Sequence, residues 1–400
     1  MELLIKNARI VDYMQDFVGD LYINNGKISE IDRNLNKNCE VIDANGLVLM
    51  PSFIDLHAHF RDPGLTYKED IKSGSMAAVR GGYTLVNLMA NTKPVCSSMS
   101  IVNYILKKAQ EVGLVDIHQA VSITRDFNGH DISHLDDLDS RVKVISEDGK
   151  DVMDSKVMMD AMLKAKEKNQ IVMCHCEESS VSNVDMRLSE NMMTWRNLAL
   201  SKFTGCHVHI SHVSTKESMS YIIEAKRKGC NVTCEVTPHH IALLNSSYKV
   251  NPPIRDKEDV GFLINAIKDG WVDAIGTDHA PHTSEDKKNG AAGISGIETS
   301  FSICYTSLVK SGRISLNKLS QIMSKNPACI MKCKKGQIKV GYDADLVLVD
   351  LERQYKICSD DFKSKGKNTP FNGMNVYGDV LTTFRRGKVV YNSNKIGAVR

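Results

Sequence analysis

At 400 residues, with 42% hydrophobic and 25% charged side chains, the chain can bury a sizeable core, which excludes a disordered or fibrous protein. Its 51 basic and 48 acidic residues leave a formal charge of +3, too small a surplus to predict binding to nucleic acid or an anionic membrane. No apolar run approaches the roughly 18 residues of a membrane span.

Eleven cysteines without a C-x-x-C pair predict reduced thiols. The start, Met1-Glu2-Leu3-Leu4-Ile5-Lys6, lacks the pattern of a signal peptide, so a cytoplasmic location is expected. Residues 1–51 hold short β segments, and Asn25-Gly26 predicts a tight hairpin turn. From 52 to 334, β-rich runs alternate with amphipathic stretches. The runs cover 53–57, 84–89, 116–124, 142–146, 171–175, 207–213, 231–237 and 272–277. Helical patterns separate most of them, for example over 71–80, 155–168 and 216–228, the last closed by Gly229. Eight such alternations predict an α/β fold, a parallel (β/α)8 barrel whose active site lies at the C-terminal ends of its strands. From 335 to 400 the strand pattern returns over 336–340, 344–350 and 379–391, with a turn at Arg386-Gly387 and an irregular stretch over 358–372. Neither flank can build its own core, so the two are expected to pair into one small β domain.

The polar chemistry falls where the predicted strands stop. The first ends in His57-Ala58-His59, and a period of two turns both imidazoles to one side. The fourth runs into Glu147-Asp148-Gly149, the fifth into His175, the sixth into His212, the seventh into His239-His240 and the eighth into Asp278-His279. Taken singly these are ordinary turns or core histidines. Together they mark one rim of the barrel. Nitrogen and oxygen donors without a thiol pair suit Zn²⁺ or a similar ion, and four histidines with two carboxylates suffice for two metals.

Several stretches carry a resemblance. The run 51–64, with His57-Ala58-His59-Phe60-Arg61-Asp62-Pro63-Gly64, and the run Gly276-Thr277-Asp278-His279-Ala280-Pro281-His282 resemble the two signatures of class I dihydroorotases, in the cyclic amidohydrolase branch of the amidohydrolase superfamily. Similar blocks stand at 212–216, 235–240, 251–255 and 364–371, so the likeness spans the chain in order. Ala90 stands where that family usually has proline.

The resemblance implies a β-sandwich made from both termini and one or two zinc ions per subunit, two being favoured. His57 and His59 with Asp278 would hold one ion, and His175 and His212 the other, with Asp148 bridging. Lys143, if carboxylated, is the rival bridge. Arg61, Asn91 and His282 would grip a substrate carboxylate beside His59, Asn251 would meet the ring, and the backbone at Ala292-Gly293 would complete the pocket. The implied reaction is the reversible closure of N-carbamoyl-L-aspartate to L-dihydroorotate in pyrimidine biosynthesis, using a zinc-activated hydroxide with Asp278 moving the proton. Rival readings are a dihydropyrimidinase, hydantoinase or allantoinase, or a catalytically silent scaffold. The expected partners are the small substrate and, at the family level, a second copy or a transcarbamoylase.

Overall fold

The computed structural model describes residues 2–393; residue 1 and residues 394–400, which end the two outer segments, lie outside the described residues. β1 (Glu2–Val11), β2 (Asp16–Asn24) and β3 (Lys27–Asp32) form an antiparallel meander. Asn25 and Gly26 turn it with φ of 50° and 77°, as the dipeptide predicts. β4 (Glu40–Asp43) and β5 (Val48–Pro51) lie parallel to β1 on its other edge.

The barrel follows. Its strands are β6 (Phe53–Ala58), β7 (Tyr83–Leu88), β8 (Asp116–Gln119), β9 (Val144–Ser146), β10 (Ile171–Cys174), β11 (His207–Ile210), β12 (Val232–Val236) and β13 (Ala274–Ile275). They pair in parallel as β6-β7-β8 and β9 through β13. Single bridges close the two gaps: Val121 to Ile145, and Ala58 to His279, where the His59 N–H donates to the His279 carbonyl at 2.9 Å. Every residue of β6, β7 and β10 is buried, as strands covered on both faces require.

Helices cover the outside: α1 (Ile71–Arg80), α2 (Met99–Val112), α3 (Ser155–Glu167), α4 (Met186–Thr204), α5 (Lys216–Arg227), α6 (Pro238–Ala242), α7 (Lys257–Lys268) and α8 (Ser284–Lys288). Short polar side chains start them. Asp70 and Ser73 form a reciprocal capping box on α1, and the Thr215 hydroxyl accepts the Ser218 N–H on α5. None of the helices among the described residues is long and apolar enough to cross a membrane.

β14 (Leu346–Lys356), β15 (Asn375–Arg385) and β16 (Lys388–Asn392) then return to the terminal sheet, β14 pairing antiparallel with β5. Both termini thus share one eight-stranded sheet over a core of Leu3, Ile5, Leu21, Leu346, Leu348 and Phe384. The strand expected over 336–340 is absent. Gly336 turns there with φ of 77°, and the Ile338 N–H and C=O bond to the side chains of Asp12 and Gln15 instead of a ladder. Several barrel strands also stop earlier than their apolar runs, because the chain turns at their ends. His212 and Asp278 take φ of 35° and 46°, bending their side chains over the barrel mouth.

Candidate metal centre and active site

His57 and His59 project from the end of β6 on one face. Asp148 lies two residues beyond β9, His175 one beyond β10, His212 two beyond β11, and Asp278 three beyond β13. The Asp148 carboxylate sits at the middle. Its Oδ1 lies 3.1 Å from His57 Nε2, 3.7 Å from His175 Nδ1 and 3.9 Å from His212 Nε2, and its Oδ2 lies 3.5 Å from His59 Nε2. Asp278 Oδ1 approaches His59 Nε2 at 3.1 Å and His57 Nε2 at 3.7 Å. Two groups, His57-Asp148-His212 and His57-His59-Asp278, have donor atoms mutually within 4.8 Å, the span of a shared cation.

One atom tests whether a cation fits. His57 Nε2 is buried among these oxygens yet has no hydrogen-bond partner. Its other nitrogen, Nδ1, is bound at 2.9 Å to Glu235 Oε1, so Nε2 is left to offer a lone pair. A buried nitrogen facing carboxylates without a hydrogen bond fits a divalent ion between them, and the all-nitrogen-and-oxygen set fits zinc. Two of the other imidazoles are also held from behind. His59 Nδ1 meets Asn91 Oδ1 at 2.8 Å, and His175 Nε2 meets Glu177 Oε2 at 2.9 Å. Gly276 leaves the room that Glu235 occupies, since a Cβ there would fall 2.3 Å from its Oε2.

Charge is sorted accordingly. Burial pushes the Asp148 and Asp278 carboxyls up, but the surrounding imidazoles hold both well below the carboxylate range. Burial, with His175 and His57 nearby, pushes His212 down to about 3, so it stays neutral. For His57 and His175 burial also lowers the pKa, and the adjoining carboxylates reverse that and raise both.

A cavity of about 270 Å³ opens over this cluster. His59, Arg61, Asn91, Asp148, His175, His212, Asn251, Asp278, His282, Ala292 and Gly293 all line it, while His57 lies beneath. It is smaller than the roughly 300–1,000 Å³ of sites for drug-sized ligands, so it suits one small ring. A larger open cleft of about 740 Å³, beside α6 and α7, holds no such cluster. On the wall of the 270 Å³ cavity three buried polar atoms have no partner: Arg61 Nε, Asn251 Oδ1 and His282 Nε2. Arg61 takes φ of 58° in a loop that Gly64 presses onto the chain, where a Cβ would fall 1.8 Å from the Lys93 carbonyl oxygen. At Gly293, φ of 140° brings the backbone against Ala280 and His282.

The residues singled out from sequence thus converge. Lys143 does not join them. It precedes β9, at the far end from Asp148, and its Nζ donates to the Met331 carbonyl at 2.9 Å. His240 is committed to Thr237 and to the Pro252 carbonyl. Cys176 is held by Asn197, and burial pushes its thiol up to about 12, so it offers no thiolate. Sequence reasoning missed Glu235, Glu177 and Lys68. The signal for Glu235 was a lone acid inside a short β-rich strand, Val232–Val236, where it is buried.

The family model described as "Amidohydrolase family" matches residues 48–390. Among curated proteins, the dihydroorotase of Clostridium botulinum (strain Eklund 17B / Type B) is 55% identical over 396 residues, covering 98% of this chain and 100% of that protein. The dihydroorotase of Thermoanaerobacter sp. (strain X514) is 39% identical over 425 residues, covering 99% and 98%. Among solved structures, the dihydropyrimidinase of Brevibacillus agri NCHU1002 superposes with a TM-score of 0.90 at 26% identity, covering 100% of this chain and 97% of that one. The L-hydantoinase of Arthrobacter aurescens gives 0.90 at 26%, covering 99% and 97%.

Proposed function

The chain belongs to the dihydroorotases of the amidohydrolase family, and on that premise we propose how its cavity interconverts N-carbamoyl-L-aspartate and L-dihydroorotate in pyrimidine biosynthesis. The observation that carries the substrate is the buried, unpartnered edge of Arg61 beside His282 Nε2. A substrate carboxylate satisfies both as a charge-assisted acceptor. A dihydropyrimidine or hydantoin ring brings no carboxylate and would leave the guanidinium buried alone.

His57 and His59 with Asp278, and His175 and His212 with Asp148, would hold one or two divalent ions, zinc by donor chemistry. Such ions, when bound, supply polarisation of the amide carbonyl and a lowered pKa for water. The chain's own residues do the rest. Arg61 and His282 anchor the carboxylate, and Asn251 Oδ1 accepts a ring N–H. Asn91 and Glu177 keep His59 and His175 oriented. Asp278, ionised at neutral pH, takes a proton from the attacking water as the C–O bond forms. It returns that proton to the ring nitrogen as the C–N bond breaks. Closure of the ring runs the same steps backwards and releases water.

The eleven unpaired cysteines favour a reducing, cytoplasmic setting. For assembly, the reading takes a second copy. α4 exposes Leu188, Met192, Trp195, Ala199 and Phe203 as one stripe about 22 Å long. Trp195 is its midpoint, so an antiparallel copy sets Leu188 against Phe203 and Met192 against the small Ala199, with exposed Lys202 toward the exposed acid Asp185. Trp195→Asp is expected to turn a dimer into an active monomer by light scattering, and a wild-type monomer refutes this assembly.

The deciding experiment compares hydrolysis of dihydroorotate and dihydrouracil by absorbance, with metal analysis of the same sample. Strong preference for dihydroorotate, lost in Arg61→Met, is expected. Equal turnover of both rings by the unaltered protein overturns the reading.

A further inference from the structure

His282 lines the cavity and its Nε2 is buried without a hydrogen-bond partner, and whether that nitrogen donates or accepts is decided at the other side of its ring. Nδ1 lies 3.3 Å from the Lys68 ammonium, whose side chain is only 14% exposed. An ammonium has three N–H groups and no lone pair, so Nδ1 can meet it only as an acceptor. The ring proton then sits on Nε2.

The competing neighbour is Asp286, at the start of α8, which would favour the opposite tautomer. Its Oδ2 is farther from Nδ1, at 3.9 Å, and already accepts from the Thr283 N–H at 3.0 Å and the Thr283 hydroxyl at 2.8 Å. Its Oδ1 is taken by Lys68 at 3.2 Å. The remaining neighbours are the Arg61 guanidinium, the Ala292 backbone, whose hydrogen bond to the ring favours a ring N–H, and Asn368, whose Oδ1 accepts the His282 backbone N–H at 2.9 Å.

We propose that Lys68 is a positioning residue that fixes His282 as a neutral imidazole with its Nε2–H aimed at the substrate carboxylate. Lys68 acts through His282 at the cavity wall. Burial first, then Arg61 and Lys68, push the His282 pKa down to about 4, so the donor keeps its form across neutral pH. The inference rests on the reading that a carboxylate-bearing substrate enters here, but the tautomer is a property of the protein without substrate.

The experiment uses zinc-loaded full-length protein with ¹⁵N-labelled histidine, His282 being assigned by comparison with His282→Asn. Wild type is expected to show an unprotonated Nδ1 and a protonated Nε2, unchanged from pH 6 to 8. In Lys68→Met, Asp286 is released to draw the proton to Nδ1, and the signal should titrate or switch tautomer in that range. KM for dihydroorotate should rise about tenfold, the worth of one charge-assisted hydrogen bond, with a much smaller change in kcat. Lys68→Arg, which also only donates, should restore most of the loss. A wild-type His282 protonated at Nδ1 overturns the proposal even if Lys68→Met does not fold. So does a Lys68→Met protein with unaltered histidine signals and KM. Absence of dihydroorotate turnover in wild type would instead refute the substrate reading and leave the tautomer result standing.

Discussion

The Nδ1 of His57 lies 2.9 Å from Oε1 of Glu235, and both side chains are fully buried, so the imidazole is fixed from behind while its Nε2 faces the Asp148 carboxylate. Glu235 also has His209 Nε2 at 3.4 Å from its other oxygen. A carboxylate behind a ligating histidine sets its tautomer and raises its basicity. Glu235→Gln is therefore expected to weaken metal retention about 10–100-fold, measured by competition with a chelator. Gly276→Ala, which drives a methyl group into Glu235, should show the same defect. Wild-type retention in both variants would leave Glu235 a packing residue.

Acid should strip the metal before it unfolds the protein. His57 and His175 have raised pKa values because of the carboxylates beside them, so a cation must displace protons from both as pH falls. The sign follows: affinity rises with pH and is lost on acidification through neutrality. His212, neutral down to about 3, adds nothing to this dependence. Metal content after dialysis against a fixed chelator at pH 5, 6, 7 and 8 should climb steadily. A flat profile would remove protonated His57 and His175 from the metal equilibrium.

The barrel was legible because most of its strands are buried on both faces and read as short apolar runs, with histidine or aspartate close to where six of the eight stop. The terminal sheet was legible at Asn25-Gly26 and Arg386-Gly387, whose turns need positive φ. The run 336–340 misled because Ile338 is buried as a strand residue would be, but side chains rather than a neighbouring strand satisfy its backbone. The roles of Glu235 and Lys68 are set by contacts between segments far apart in the chain, which local spacing does not encode, whereas Glu177 stands only two residues from the His175 it holds. Between the two rival bridges, the spacing alone could not decide. The fold separates them, because Lys143 enters β9 and Asp148 leaves it.

That separation gives a paired test. Asp148→Ala is expected to lose a metal and nearly all activity, since four imidazoles surround its carboxylate. Lys143→Ala should keep both, because its ammonium donates to the Met331 carbonyl at the end of the barrel away from the cavity. Metal analysis and turnover on the two purified variants decide it. An inactive, metal-poor Lys143→Ala would reverse the assignment.

Asp278 is assigned two duties, a ligand and a proton carrier, and one substitution divides them. Asp278→Asn keeps an oxygen for a metal but cannot take a proton. The rate should fall by roughly 10²–10⁴ while at least one ion is retained. Near-normal turnover would free Asp278 from proton transfer, and complete metal loss would make it chiefly a ligand.

The last expectation concerns how the barrel is tied to the terminal sheet. Asp116 opens β8 at the end of the barrel away from the cavity, and three cations converge on it: Lys335 at 2.8 Å, Arg385 at 2.5 Å and Arg386 at 3.1 Å. Lys335 is buried and also pairs with Asp345, so the cluster joins a barrel strand to β14 and the turn after β15. Burial pushes the Asp116 carboxyl up, but Lys335 and Arg385 outweigh it and bring the pKa down to about 2. An unfolded aspartate titrates near 3.9, so this group stabilises the fold fully above about pH 4 and loses that contribution as pH falls through about 2. The difference corresponds to on the order of 2 kcal/mol. Asp116→Asn should cost at least that much at pH 7, because Arg385, Arg386 and Lys335 then converge on a neutral amide. Urea denaturation of both proteins at pH 7, 5, 4 and 3 should show a gap that is constant down to pH 5 and narrows below 4. The narrowing is the diagnostic, since protonation makes the wild-type carboxyl as neutral as the amide. A gap that holds its size at pH 3 would mean the aspartate acts through packing rather than charge.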